Sequence, residues 1–246
     1  MNPVITSNLL SEKSMLTAEM LVAWKRKRSV YNFNVLPEKA IIGIDKNIFS
    51  KHVHFFSKKL RGIRGVNYIH KHFVFCSGFG SGAPAIITLL EELRALGVKE
   101  FIFVGLAGSL TDTVKSGDAF YVSKTVSGSG TTSYYHDEDN IKPYDDKYAL
   151  KLATELHLKS AVCFSTDSPF RETPTLIKTI KEKGCEFIEM ECAAIYAFTQ
   201  YYKLQAACFL IAADELHSNN WHPPSAEINL SERQIALVNR IIKSMI

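Results

Sequence analysis

Four short segments of this 246-residue chain carry residue types able to do chemistry. The run Phe187-Ile188-Glu189-Met190-Glu191-Cys192-Ala193-Ala194 reads as a strand passing into a helix, with two carboxylates flanking a methionine at the junction. One acidic residue there is accounted for by the positive end of a helix dipole; two within an apolar run need a further reason. Phe209-Leu210-Ile211-Ala212-Ala213-Asp214 ends an apolar strand on an aspartate, where α/β proteins keep catalytic groups, although taken alone Asp214 reads as an N-cap or loop residue. Gly78-Phe79-Gly80-Ser81-Gly82-Ala83-Pro84 and Gly105-Leu106-Ala107-Gly108-Ser109 are glycine-rich turns at strand ends, the first opening a helix. Glycine lets a ligand approach bare backbone amides, and two such turns at the carboxyl ends of strands outline a crevice. The GxGxG spacing is not a dinucleotide fingerprint, and no Lys-Ser or Lys-Thr follows to make a P-loop.

The elements that must position these segments follow from hydrophobic periodicity. Short apolar runs at 40–44, 66–69, 73–77, 100–105, 119–126, 160–165, 186–189 and 206–212 predict strands. Amphipathic runs at 83–96, 147–158, 173–183, 191–203 and 231–245 predict helices, the last opened by a Ser231-x-x-Gln234 capping box. Strand and helix in alternation imply an α/β fold, a three-layer α/β/α sandwich around a mixed, mostly parallel twisted sheet. Residues 1–39 differ in pattern and read as an N-terminal appendage on a single domain at 40–246. The tetrad Lys25-Arg26-Lys27-Arg28 within it reads as a solvated helix end. Two loop-rich stretches, 127–146 and 217–227, are the candidates for lids.

Composition sets the boundaries. With 46% hydrophobic and 22% charged residues the chain is of ordinary globular type, and collagen-like, disordered and disulfide-scaffold classes are excluded. A net charge of +4 without a basic, aromatic-bearing face gives no ground for nucleic-acid binding. Five cysteines in apolar runs without CxxC spacing read as reduced, buried thiols. No leader pattern opens the sequence and no run is long enough to span a bilayer, so a cytoplasmic protein without membrane contact is expected. His217 and His222 flank Trp221 but lack further ligands at a set spacing, so no metal site is expected.

Taken in order, the four segments resemble the nucleoside phosphorylase family, which includes hexameric purine nucleoside phosphorylases, uridine phosphorylases and methylthioadenosine/adenosylhomocysteine nucleosidases. The resemblance runs from Ile41 to Asp214 and extends to Ser116-Gly117-Asp118 and Ser165-Thr166-Asp167. It implies that Glu191 holds the ribose hydroxyls, since a carboxylate can accept from both members of a vicinal diol. By the same resemblance Met190 packs against the sugar, Glu189 and Ser81 complete the ribose side, and Ala107, Gly108, Ile188 and Phe170 line the base. Asp214 is then the general acid at N7 of a departing purine, relieving the charge that develops as the glycosidic bond breaks. The family uses no metal or organic cofactor and assembles as homo-oligomers, so none of the former and the latter are expected.

The departures concern the nucleophile. Where phosphorylases of this family bind phosphate with a strand arginine and a turn Ser or Thr, this chain has Phe103 and Leu106, and the N-terminal phosphate turn is replaced by Gly43-Ile44-Asp45-Lys46-Asn47. An anion is not desolvated against Phe and Leu without replacement donors. Hydrolysis is therefore favoured, with Asp45 the nearest candidate base for water. Phosphorolysis with a relocated phosphate site, using Arg61 or Arg64, is the alternative, and a non-catalytic nucleoside-binding or storage protein is the third reading. A purine fits better than uracil, because the Gln and Arg of the uridine enzymes have no counterpart here and Arg171 is the only base-side cation.

Overall fold

Strand β5 (Glu100–Ser109) is apolar along most of its length, as befits a strand covered on both faces. The computed structural model describes residues 10–217 and 220–246. On either side of β5 run β1 (Lys39–Gly43) and β10 (Gln205–His217), both parallel to it, and β4 (Phe73–Ser77) lies parallel beyond β1. Strands β6 (Ala119–Gly128) and β8 (Lys159–Thr166) form a second parallel ladder, and β9 (Phe187–Glu189) continues it. β10 also pairs antiparallel with β6, and β9 pairs antiparallel with the last two residues of β5. The strands β5, β10, β6, β8 and β9 therefore close into a ring, while β1, β4, β3 (Val66–Ile69) and β2 (Lys58–Leu60) extend from it as an open wing. Two short strands, β7 (Asn140–Ile141) on β6 and β11 (Asn220–His222) on β10, complete the sheet.

Helices cover both faces, giving the expected three layers. On one face α3 (Ala83–Ala95) and α6 (Cys192–Tyr202) bury Ile86, Leu90, Leu93, Ile195 and Phe198 against the sheet. α6 is apolar nearly all round, and eight of its residues are buried. On the other, α2 (Lys51–Phe56), α4 (Asp146–Glu155) and α7 (Leu230–Met245) bury Val53, Leu152, Leu237 and Ile241 in a second core. α5 (Pro174–Glu182) packs Leu176, Ile177 and Ile180 on a smaller cluster with Leu110 and Ile188. All five cysteines are buried and unpaired by disulfides. Among the described residues, no helix is long and apolar enough to cross a membrane.

Three sequence expectations are corrected. Gly105-Leu106-Ala107-Gly108-Ser109 is not a turn but the second half of β5, because its backbone pairs with β10 and β9. α7 begins at Leu230, and its cap is Asn229, which accepts from the Glu232 amide at 3.1 Å; the Ser231 hydroxyl turns away to Asp45. An Asn two residues ahead offers the same acceptor, so the Ser-x-x-Gln pattern is not the one used. The basic tetrad is not uniformly solvated either. Helix α1 (Ala18–Lys27) turns Val22 and Lys25, three residues apart, toward the domain. Lys25 Nζ lies 2.6 Å from Glu92 Oε1 and donates to the Gly62 carbonyl at 2.8 Å, while the Tyr31 hydroxyl donates to the same Glu92 oxygen at 2.6 Å. Glu92 is 4% exposed, and a buried carboxylate needs such partners.

Removing one member of that ion pair leaves the other buried and poorly compensated. Lys25→Ala should lower unfolding stability in urea by about 3 kcal/mol, and Lys25→Met combined with Glu92→Leu should recover most of it. Equal losses in the single and double variants would contradict the role given to the pair.

Candidate active site

The strand-to-helix junction is organised by Glu189, the last residue of β9, 5% exposed. The register of β8 and β9 sets Ser165 beside it, and the Ser165 hydroxyl donates to Glu189 Oε1. Glu189 Oε2 accepts the amides of Glu191 at 2.7 Å and Cys192 at 2.8 Å, while Ser165 Oγ accepts that of Ala193 at 2.9 Å. Amides that the first turn of α6 would leave without intrahelical partners are thus satisfied without a capping side chain on Glu191 itself. Burial pushes the Glu189 carboxyl above its ordinary range, and these hydrogen bonds oppose the shift.

Met190 and Glu191 follow directly on Glu189, and both reach the Gly82 turn. Met190 reaches the cleft described below. Glu191 lies behind Met190, where its Oε1 accepts the Gly82 amide at 2.5 Å and so ties the junction to the glycine turn that opens α3. Gly82 sits at φ 87°, a conformation strained for any residue with a side chain, and a Cβ there would stand 3.7 Å from Met190 Cε. Burial first, then the neighbouring Glu189 charge, pushes the Glu191 carboxyl up to about 8, against the bonds from Gly82 and Met190.

Asp214 lies in an irregularity of β10, where the pairing with β5 shifts between Ala212 and Glu215. A bulge of this kind re-aims a side chain. Gly108 on β5 leaves room for it: a Cβ there would stand 3.3 Å from Asp214 Oδ1. The β10–β11 hairpin brings Trp221 back over this point, and its indole N–H donates to Asp214 Oδ2 at 2.6 Å. Glu172, half-buried nearby, has its carboxyl pushed up to about 7 by burial and by the Asp214 charge.

These groups open onto one cleft of about 650 Å³. Of the residues named from sequence, Leu106, Ala107, Gly108, Phe170, Ile188, Glu189, Met190 and Asp214 line it. Pro169, Glu172, Ala213, Leu216 and Trp221 complete the lining, and none of the lining residues is Lys or Arg. Glu191 stands behind Met190 at the Gly82 turn, and Ser81 is exposed on that same turn. Phe170 is 98% exposed at the mouth.

The remaining candidates stand elsewhere. Phe103 is buried in the core, and a Cβ at Gly105 would come within 2.7 Å of its ring. Gly43 lies under Ile48, and Asp45 accepts the Asn47 amide at 2.8 Å and the Ser231 hydroxyl at 3.4 Å near the start of α7. Arg61 is exposed, with its amide donating to Asn32 Oδ1, and the Arg64 guanidinium approaches Gly80, 3.7 Å from where a Cβ would stand. His217 and His222 stack at 4.8 Å, and among the described residues no cluster of three or more His, Cys, Asp or Glu is arranged to hold a metal. Trp221 and Glu172 were not expected as neighbours of Asp214, since a hairpin register and a loop fold bring them there and no sequence spacing encodes either.

The model of the phosphorylase superfamily matches residues 46–243. The chain belongs to the phosphorylase superfamily. Within this superfamily it is 30% identical over 165 residues to a DeoD-type purine nucleoside phosphorylase of Brevibacillus brevis, covering 64% of this chain and 70% of that protein. It is 25% identical over 174 residues to an uncharacterized protein of Acanthamoeba polyphaga mimivirus, covering 67% and 69% respectively. The crystal structure of purine nucleoside phosphorylase from Toxoplasma gondii in complex with immucillin-H has the same fold, with a TM-score of 0.69 and 18% identity over 85% of this chain and 92% of that one.

The buried Glu191 gives this site a pH signature. Its carboxyl binds its proton more tightly folded than unfolded, so its contribution to stability is full below about pH 4.5 and is lost as the pH rises toward 8. Urea denaturation across that window should show stability falling by no more than about 1.4 kcal/mol per pH unit from this group, with a shallower decline in Glu191→Gln. Parallel curves for the two proteins would contradict the assignment.

Proposed function

We propose that this chain cleaves the N-glycosidic bond of a purine-type nucleoside. The observation that carries the reading is that Asp214 and the Glu189–Glu191 junction meet at one cleft large enough for a nucleoside. In this reading Asp214, oriented by Trp221, protonates N7 of the base as the bond to the sugar lengthens. Glu191 accepts from the 2′- and 3′-hydroxyls, and those bonds strengthen as the sugar becomes cationic. The diol donors favour the ionised carboxylate, offsetting the burial that raises its pKa in the empty site. Met190 packs on the sugar, Ile188 and the Ala107–Gly108 backbone flank the base, and Phe170 closes over it.

Water is the favoured acceptor. Leu106 presents an apolar side chain to the cleft, Phe103 is sealed in the core, and among the described residues no cation lines the walls to replace the hydration of a phosphate dianion. Asp45, already bonded to Asn47 and Ser231 outside the cleft, is not given the task of activating that water. Phosphorolysis is the second reading, supported by Arg64 beside the Gly80 turn and by relatives that are phosphorylases.

Asp214→Asn should lower base release by about 10²- to 10⁴-fold while leaving the circular dichroism spectrum and unfolding midpoint close to wild type. The sugar product separates the two acceptors, free ribose for water and ribose 1-phosphate for phosphate. Turnover by the variant at the wild-type rate would remove Asp214 from the mechanism.

A further inference from the structure

A second cleft, of about 900 Å³, lies between α5 and the β10–β11 hairpin, and neither Glu189 nor Met190 lines it. Its lining includes Thr175, Ile177 and Lys178 of α5, and it shares Glu172, Leu216 and Trp221 with the first cleft. Those three residues are a sill between the two spaces, and Trp221 is 61% exposed on it. Ile177 and Leu216, which pack against the small apolar cluster beneath, give the second cleft an apolar patch, and Lys178, Lys181, Glu182, His217 and Asn220 bring polar groups to the rest of its lining.

Purine geometry relates this space to the reaction. N7 and the substituent on C6 lie on the same edge of the base. If N7 faces Asp214, the C6 substituent points along the groups that flank Asp214, namely Glu172 and Trp221, and then over the sill. A bare amino or oxo group ends before that point and leaves the second cleft unused. A phenyl-sized group on a 6-amino nitrogen would cross the sill and lie on Ile177 and Leu216.

We infer that the second cleft is a subsite for purines carrying a bulky apolar substituent on the 6-amino nitrogen, with Glu172 accepting the one N–H that such an amine retains. This inference rests on the proposed orientation of the base at Asp214. Glu172 is suited to the task because it is half-buried at the sill and, above the pH of about 7 to which burial and the Asp214 charge push its carboxyl, it is an ionised group that only accepts hydrogen bonds. Above that pH a 6-oxo purine would set its carbonyl oxygen against those lone pairs, so the ionised residue discriminates between the two classes.

The test uses adenosine and N6-benzyladenosine as substrates, and adenine and N6-benzyladenine as ligands in titration calorimetry. The wild-type protein should bind N6-benzyladenine about tenfold or more tightly than adenine, from burial of the added ring. It should also cleave N6-benzyladenosine with a kcat/KM at least equal to that for adenosine. Ile177→Trp, which fills the second cleft, should lower both the binding ratio and the kcat/KM ratio about tenfold. Thr175→Trp fills the same space from an exposed position and serves if Ile177→Trp does not fold. Cleavage of adenosine alone, with no added affinity for N6-benzyladenine, would overturn the subsite and leave the proposed function standing. Preferential binding of N6-benzyladenine without cleavage of either nucleoside would support the subsite while removing the catalytic reading. Equal binding of the two bases, unaffected by Ile177→Trp, would overturn the subsite whatever the catalytic result.

Discussion

The buried carboxylate of Glu189 is the constraint on which the candidate site depends. It receives a hydroxyl from β8 and two amides from the start of α6 while sitting at the end of β9, so three elements meet on one side chain. An ion removed from water in this way is tolerable only when its lone pairs are occupied, and here the helix end supplies both donors and a favourable dipole. The consequence is positional. Once Glu189 is fixed, Met190 is directed to the cleft and Glu191 to the Gly82 turn immediately behind it.

Ring closure of the sheet supplies the other half. β10 runs parallel to β5 through most of its length and then slips out of register, and the slip lifts Asp214 over Gly108. β9 pairs with the same end of β5, so the carboxyl ends of two strands from different parts of the chain border one cleft. The absence of a side chain at Gly108 is what allows the approach, since a Cβ would also stand 2.7 Å from Leu216. Burying Glu191 beside Glu189 is costly, and the raised ionisation of Glu191, from burial first and then from its neighbour's charge, records that cost. Binding sites commonly retain strain of this kind because the ligand relieves it.

What the sequence made legible was local. Two carboxylates astride a methionine, an aspartate at a strand end and glycines at strand-to-helix turns are features within a few residues, and each lies at or beside the cleft. The α/β layering was legible for the same reason, since periodicity is a local signal. What was not legible depended on long-range register. Nothing near Glu189 announces that Ser165 will face it, and nothing near Lys25 announces Glu92, 67 residues away. The closure of β5 on β10 and the return of Trp221 to Asp214 are likewise products of strand pairing. Phe103 and Asp45 fall at the nucleophile side only by the family resemblance, and packing carries the first into the core while a turn commits the second elsewhere.

The measurement that tests the central claim most directly is a crystal structure with a purine C-nucleoside, whose carbon–carbon bond to the sugar cannot be cleaved. The account predicts that its ribose hydroxyls bond to Glu191, that its sugar rests on Met190, and that N7 faces Asp214 beneath Trp221. An analogue bound outside this cleft, or bound within it with N7 turned away from Asp214, would contradict the account.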